Sequence, residues 1–167
     1  MAMDAAGVHA RLREKFGDVV GPLEASGRNA SATIVPARIA EVGEFLKTDP
    51  ALRFDCLSNL SGVDYPKQGH IQIVYHLFSY PHRHAFVLRV NAPRDNPQVA
   101  TVSGVWSHAD WQEREAFDLL GVTFDGHPDL RRILMPEDWP GHPLRKDFVE
   151  PESYHGIPTS RESLLKA

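Results

Sequence analysis

Between Gly126 and Phe148 the sequence reads GHPDLRRILMPEDWPGHPLRKDF, with the triplet Gly-His-Pro occurring twice. Each copy leads into a leucine and a basic residue, at Leu130-Arg131 and at Leu144-Arg145. His127, His142, Asp129, Glu137 and Asp138 are residue types that ligate metals or move protons. Arg131, Arg132, Arg145 and Lys146 are types that hold phosphate or carboxylate. Three chemistries compete for this stretch: metal or acid–base catalysis, nucleic-acid binding, and a protein interaction surface.

A zinc hydrolase typically shows His-Glu-x-x-His on a helix, which brings both rings to one face, and the chain has none among its nine histidines. His127 and His142 each stand between glycine and proline, the composition of a turn. They are expected to close turns, with metal ligands converging from distant positions as the alternative. His82 and His84 alternate on a predicted hairpin and lack a carboxylate nearby in sequence. For nucleophilic catalysis there is no Gly-x-Ser-x-Gly elbow, and Cys56 lies in an apolar, strand-like stretch where cysteine serves as a small core residue. No glycine-rich dinucleotide loop or Walker loop is present. Within the stretch Arg131, Arg132, Arg145 and Lys146 are cancelled by Asp129, Glu137, Asp138 and Asp147, so phosphate meets no net attraction. Balanced charge interleaved with Leu130, Ile133, Leu134, Met135, Trp139 and Phe148 suits a protein contact, where Arg and Trp concentrate binding energy.

Upstream, WQEREAFDLLG (Trp111 to Gly121) crowds Glu113, Arg114, Glu115 and Asp118 onto one short helix. One reading is a solvated face, with Arg114 and Asp118 an i, i+4 pair worth a few tenths of a kcal/mol. The other is a partly buried network in which Arg114 and Glu115 meet the arginines of the downstream stretch. Paired carboxylates also serve acid–base chemistry, but no pocket or cofactor motif accompanies them.

These residues need a scaffold. A chain of 167 residues has the length of one domain and can bury roughly 70% of its unfolded surface. A hydrophobic content of 42% and a charged content of 24% are those of a globular chain, and the net charge of −4 removes general polyanion binders. The single cysteine rules out an internal disulfide and argues against a cluster or structural zinc carried by this chain alone. No apolar run reaches the ~18 residues needed to cross a bilayer. The opening MAMDAAGVHARLREKFG lacks the apolar centre of a secretion signal, so a cytosolic-side protein is expected.

Val8, Leu12 and Phe16 predict a helix over residues 5–16, stopped by Gly17. Short strands are expected near 19–24 and 31–35. Pro36 then opens a second helix with the stripe Ile39, Val42, Phe45 and Leu46, closed at Asp49-Pro50. Phe54, Cys56, Leu57, Leu60 and Val63 predict a strand that leads to a turn over residues 65–69. HIQIVYHLFSY (70–80) alternates, with Ile71, Ile73, Tyr75 and Leu77 on one face and Gln72, Val74, His76 and Phe78 on the other. It pairs as an antiparallel hairpin with residues 84–91. Helical character is expected over 98–106 and again over Ala109 to Leu120, capped by Ser107 with Asp110 or by Asp110 with Glu113, and ended by Gly121. The fold class is α+β: a mainly antiparallel sheet flanked by helices (1–124), an irregular motif-rich arm (125–148) packing on the domain and on a partner, and an extended tail (149–167).

The run GVWSHADWQEREAFDLLGVTFDGHPDLRRILMPEDWPGHPLRKDF resembles the signature region of the 30 kDa, C-type subunit family of NADH-quinone oxidoreductase, respiratory complex I. The likeness is carried by Glu113-Arg114-Glu115, Asp118, the Gly-His-Pro-Asp-Leu-Arg-Arg block and the Pro-Glu-Asp-Trp to Lys-Asp-Phe block. LSGVDYP (Leu60 to Pro66) and IVYHLFS (Ile73 to Ser79) also look like the family, so the resemblance runs from about Phe54 to Phe148. It implies an α+β subunit of the peripheral arm with no catalytic, cofactor or metal residues of its own. FMN and iron–sulfur clusters would lie on other subunits of a proton-translocating complex that passes electrons from NADH to quinone. Implied partners are the hydrogenase-like, D-type subunit and the neighbouring iron–sulfur subunits, without nucleic acid. Membrane association would come through the complex only, at the cytoplasmic face of the bacterial inner membrane.

The implied interface or structural network comprises Glu113, Arg114, Glu115, Asp118, His127, Arg131, Arg132, Trp139, His142, Arg145, Lys146 and Asp147. In it, Arg131, Arg132, Arg145 and Lys146 anchor either to acidic groups of the partner or to Glu113, Glu115 and Asp118 at home. Two alternatives stand beside this reading. One is the equivalent subunit of a membrane-bound nickel–iron hydrogenase or formate hydrogenlyase-type complex. The other is an independent metal-dependent enzyme built on His127, His142 and neighbouring acids.

Overall fold

The computed structural model describes residues 2–25 and 30–159. Five strands, β1 (Val20–Glu24), β2 (Ser31–Ile34), β3 (Cys56–Tyr65), β4 (His70–Ser79) and β5 (His84–Pro93), form one sheet in the order β1-β2-β5-β4-β3. The β2/β5 pairing is parallel and the other three are antiparallel. This is the mainly antiparallel sheet the alternating segments predict. In β4 the phase is as read: Ile71, Ile73, Tyr75 and Leu77 are buried, while Gln72, Val74, His76 and Phe78 are half-buried. The hairpin with β5 runs in unbroken register from His70 opposite Pro93 to Ser79 opposite His84.

Three helices, α1 (Ala5–Phe16), α2 (Ile39–Thr48) and α3 (Ala109–Leu120), bring their apolar stripes to the sheet. Val8 and Leu12, then Ile39, Val42 and Leu46, then Ala109, Ala116 and Leu120 join the buried β4 residues in one core. α3 lies against β3 at very short range. A Cβ on Gly62 would overlap Leu120 Cδ1, so a side chain there would have to displace that leucine from the helix–strand contact. Gln112 Oε1 accepts the Leu60 N–H at 2.7 Å, satisfying a donor on an edge strand.

Three expectations are corrected. Residues 98–100 are not helical: β6 (Gln98–Ala100) pairs in parallel with β7 (Thr123–Asp125). The helix-like spacing of Val99, Val102, Val105 and Trp106 is real, and all four are buried, but turns deliver them, with the Val105 and Trp106 N–H groups both donating to Val102 O. The N-terminus of α3 has no side-chain cap. The preceding turns already supply acceptors, Trp106 O for Ala109 N–H and Ser107 O for Asp110 N–H. Lastly, the segment expected as an extended tail contains a hairpin of β8 (Ser153–Tyr154) and β9 (Ile157–Pro158). Its two-residue loop, His155-Gly156, takes φ of 52° and 77°, the positive pair that suits a tight hairpin. Tail residues 160–167 lie outside the described residues.

Candidate functional site

The arm folds back along α3, and each Gly-His-Pro turn meets a different end of that helix. At the first turn His127 Nδ1 accepts the Asp129 N–H at 3.0 Å, which leaves the ring proton on Nε2. Nε2 donates to the Asp110 carbonyl at 3.2 Å. At the second turn His142 Nδ1 donates to the Asp118 carbonyl at 2.9 Å. The Leu144 N–H donates to Leu119 O at 2.9 Å, and Arg145 Nε donates to Leu120 O at 2.7 Å. The last carbonyls of a helix have no partner within it. Here the arm supplies three donors for them, two of them on basic side chains set at the negative end of the helix dipole.

Gly121 makes that approach possible. It ends α3 at φ +73°, and a Cβ there would stand 2.6 Å from His142 Nε2. His127 thus closes its own turn, whereas the His142 ring ties its turn to the end of α3. The carbonyls they bind are eight residues apart along α3, about 12 Å at the rise of a helix, so the two rings do not converge on one ligand. Among the described residues no group of three or more His, Cys, Asp or Glu side chains is set to hold a metal ion.

The middle of the arm is held by a charge. Asp118 is fully buried, and its Oδ2 accepts the N–H groups of Ile133, Leu134 and Met135 at 3.1, 2.7 and 2.8 Å. Arg132 NH1 stands 3.4 Å from Oδ1. Burial alone would push this carboxyl up, but the three backbone donors and the Arg132 charge hold it below the usual aspartate value. Successive N–H groups wrapped around one oxygen form an anion nest, here turned inward on the chain's own carboxylate. Arg114 completes the grip, donating to the Arg131 and Arg132 carbonyls at 3.3 and 3.5 Å while its guanidinium lies 5.2 Å from the Trp111 ring.

The far end of the arm is tied to the sheet. Asp64, buried at the end of β3, receives a two-pronged bond from Arg94 at 2.8 and 3.0 Å and the Lys146 N–H at 2.8 Å. Arg94 also reaches Asp147 at 2.5 Å. The Arg94 hydrogen bonds hold the Asp64 carboxyl below its ordinary value, against the opposing effect of burial. Near the hairpin, Asp138 takes the Tyr154 hydroxyl at 2.5 Å and His155 Nε2 at 2.7 Å, and Trp139 packs on Tyr154 with ring centres 5.0 Å apart.

The pairings differ from those expected from the charges. Arg132 alone of the four arm cations meets a carboxylate of α3. Arg145 binds a carbonyl, Arg131 bonds Asp129 within its own turn, and Lys146 engages through its backbone with its side chain exposed. Glu115 is exposed, whereas Glu113 is fully buried and bonds the Thr101 hydroxyl and the Val102 N–H at 2.5 and 2.7 Å. Sequence reasoning missed Asp64, Arg94 and Thr101. Asp64 had a readable signal: Leu60, Gly62 and Asp64 share one face of β3, and a charge at a core-facing position requires a partner.

The family model described as "Respiratory-chain NADH dehydrogenase, 30 Kd subunit" matches residues 32–154. The C-type subunit of NADH-quinone oxidoreductase from Roseiflexus sp. (strain RS-1) is 48% identical over 143 residues, covering 84% of this chain and 82% of that one. The second C-type subunit of the same enzyme from Rhizobium etli is 42% identical over 142 residues, covering 84% and 75%. Among solved structures, a trypsin-resistant fragment of Nqo5 aligns with a TM-score of 0.63 at 31% identity, over 77% of this chain and 100% of that one. A chain of an archaeal membrane-bound sulfane sulfur reductase aligns at a TM-score of 0.69 over 84% and 82%, and at 23% identity it shares the fold.

Proposed function

Because the chain belongs to the family of the 30 Kd subunit of respiratory-chain NADH dehydrogenase, we propose that it is a non-redox, scaffolding subunit of an NADH:quinone oxidoreductase. FMN and iron–sulfur clusters then reside on neighbouring subunits, and the chain sits peripherally at the cytoplasmic face of the membrane. No helix among the described residues is long and apolar enough to cross a bilayer.

The observation that carries this reading is the inward use of the arm's polar groups. His127, Asp118, Arg132, His142 and Arg145 are all engaged with α3 or with the arm itself. The same region leaves Trp111, Leu134 and Leu144 at 63%, 61% and 53% exposure. An arm that turns Arg132, His142 and Arg145 home and holds Leu134 and Leu144 out is suited to packing against another subunit. The partner is the hydrogenase-like subunit, received on the Leu134 and Leu144 side of the arm.

The test replaces Leu134 and Leu144 together by aspartate in the intact complex. Co-purification of the hydrogenase-like subunit and NADH oxidation by quinone should both fall, while the isolated variant keeps the circular dichroism of the parent. Unchanged recovery of that subunit with the variant would refute the assignment of the face. Recovery of a hydrogenase module without NADH oxidation would place the chain in the other type of complex.

A further inference from the structure

Of the Glu-Arg-Glu triplet only Arg114 holds the middle of the arm, and of the two glutamates only Glu113 is buried. It is a fully buried carboxyl at the meeting point of several segments. Its oxygens bond Thr101 Oγ1 at 2.5 Å and the Val102 N–H at 2.7 Å, both on the loop after β6. The first turn of the arm closes over it with His127, whose fully buried ring brings Nε2 to 3.9 Å from Oε2. β4 contributes Tyr75, whose buried hydroxyl has no hydrogen-bond partner among the described residues. Asp110, three residues earlier on α3, is 3.5 Å from the same His127 nitrogen. Asp110, His127 and Tyr75 are thus the titratable groups that face Glu113, and among the described residues no arginine or lysine pairs with it. An ionised carboxylate here lacks the countercharge that would offset its burial.

A path leads out from this site. Thr101 Oγ1 lies 2.9 Å from Ser103 Oγ, and a hydroxyl can donate and accept at once. Thr101 and Ser103 both line an open cavity of about 460 Å3, bounded also by Asp110, Gly126 and Pro128. The series Glu113, Thr101, Ser103 therefore joins the buried carboxyl to solvent.

We propose that Glu113 is a proton-binding site, exchanging with solvent through Thr101 and Ser103, whose occupancy sets how tightly the Thr101–Ser103 loop and the Gly126–Asp129 turn close over α3. With the proton bound, Glu113 donates to Thr101 Oγ1, Thr101 donates to Ser103 Oγ, and the second carboxyl oxygen still accepts the Val102 N–H. With the proton released to water through the cavity, the carboxylate accepts from both Thr101 and Val102. Its uncompensated charge then favours conformations in which the loop lifts and water reaches it. Burial pushes Glu113 from 4.5 to about 7, with Asp110 adding to the rise and the two hydrogen bonds opposing it, so the change falls in the neutral range.

Hydrogen exchange on the full chain, corrected for the intrinsic pH dependence of amide exchange, tests this. Linkage between a closed value of about 7 and an open value near 4.5 predicts that loop opening grows about 20- to 30-fold between pH 5.5 and pH 8. Peptides covering Val102 and His127 should show that rise, and a peptide from α1 should not. Glu113→Gln should make the profile flat, and Asp110→Asn should move it to lower pH. The infrared band of a protonated carboxyl should titrate in the parent and be missing from Glu113→Gln. A flat parent profile, a Gln variant that keeps the rise, or a carboxyl band unchanged by the substitution would each overturn the proposal. Should Glu113→Gln not fold, the parent infrared titration and the Asp110→Asn shift decide it. The measurements use the chain alone, so their failure leaves the assignment to the respiratory complex untouched.

Discussion

Replacing Asp118 by alanine removes the one acceptor that three successive arm N–H groups share. Those bonds measure 3.1, 2.7 and 2.8 Å and end on a carboxylate with no solvent exposure, with Arg132 at 3.4 Å on the other oxygen. A hydrogen bond to a charged group contributes about 1.5–3 kcal/mol, but three on one oxygen do not add. Leaving buried donors and a cation unpaired costs about 3–5 kcal/mol, so about 4 kcal/mol is expected for Asp118→Ala. In a chain of this length that corresponds to a fall in Tm of about 10 °C. Asp118→Asn keeps one oxygen for the N–H groups but sets an amide NH2 against Arg132, and about 1–2 kcal/mol is expected. The carboxyl is held below its unfolded value, so its contribution is complete above that value and is lost as pH falls through the folded one. The penalty of the Asn variant should therefore shrink as pH falls below the ordinary aspartate value of 3.8. Urea unfolding gives the totals, and hydrogen exchange at Ile133 to Met135 should show the loss concentrated there. Equal losses for Asn and Ala, or an Ala variant within about 1 kcal/mol of the parent, would refute an anion nest as the holder of the arm.

Other consequences are open to the same methods. Glu113 has a folded value of about 7 against 4.5, so stability is complete below about pH 4.5 and falls by about 3 kcal/mol as pH rises to 7. Glu113→Gln should remove that slope from a plot of urea midpoint against pH. Gly121→Ala forces a side chain to φ +73° and into the His142 ring, costing about 2–3 kcal/mol, with loss of exchange protection at the Leu144 amide. Arg94→Lys cannot reproduce the fork on Asp64 and should lower the urea midpoint, whereas Lys146→Ala should leave it unchanged because Lys146 acts through its N–H.

Periodicity made the sheet and helices readable. The alternation of β4 and the stripes of α1 and α2 are long enough for one face to be identified without ambiguity. It failed over residues 98–106, where buried residues at helical spacing are delivered by a short strand and turns. The arm was legible as an irregular segment with turns at its two Gly-His-Pro triplets and balanced charge. Its partners were not, because they are main-chain atoms: Arg145, His142 and Arg114 bind carbonyls, and Asp118 binds N–H groups. A sequence displays which side chains carry charge but not which backbone groups the fold leaves unpaired. Glu113 and Glu115 illustrate the same limit, since identical residues two positions apart end up fully buried and exposed.

The donors from His127, His142, Leu144 and Arg145 all close on the peptide groups of α3, which every residue type presents alike. Glu115, exposed on the same helix, can therefore be exchanged for other residues without loosening the arm. The fastening and the outward surface are written in separate alphabets. Lineages in which the neighbouring protein changes can re-tailor the surface one side chain at a time while the buckle beneath it stays closed.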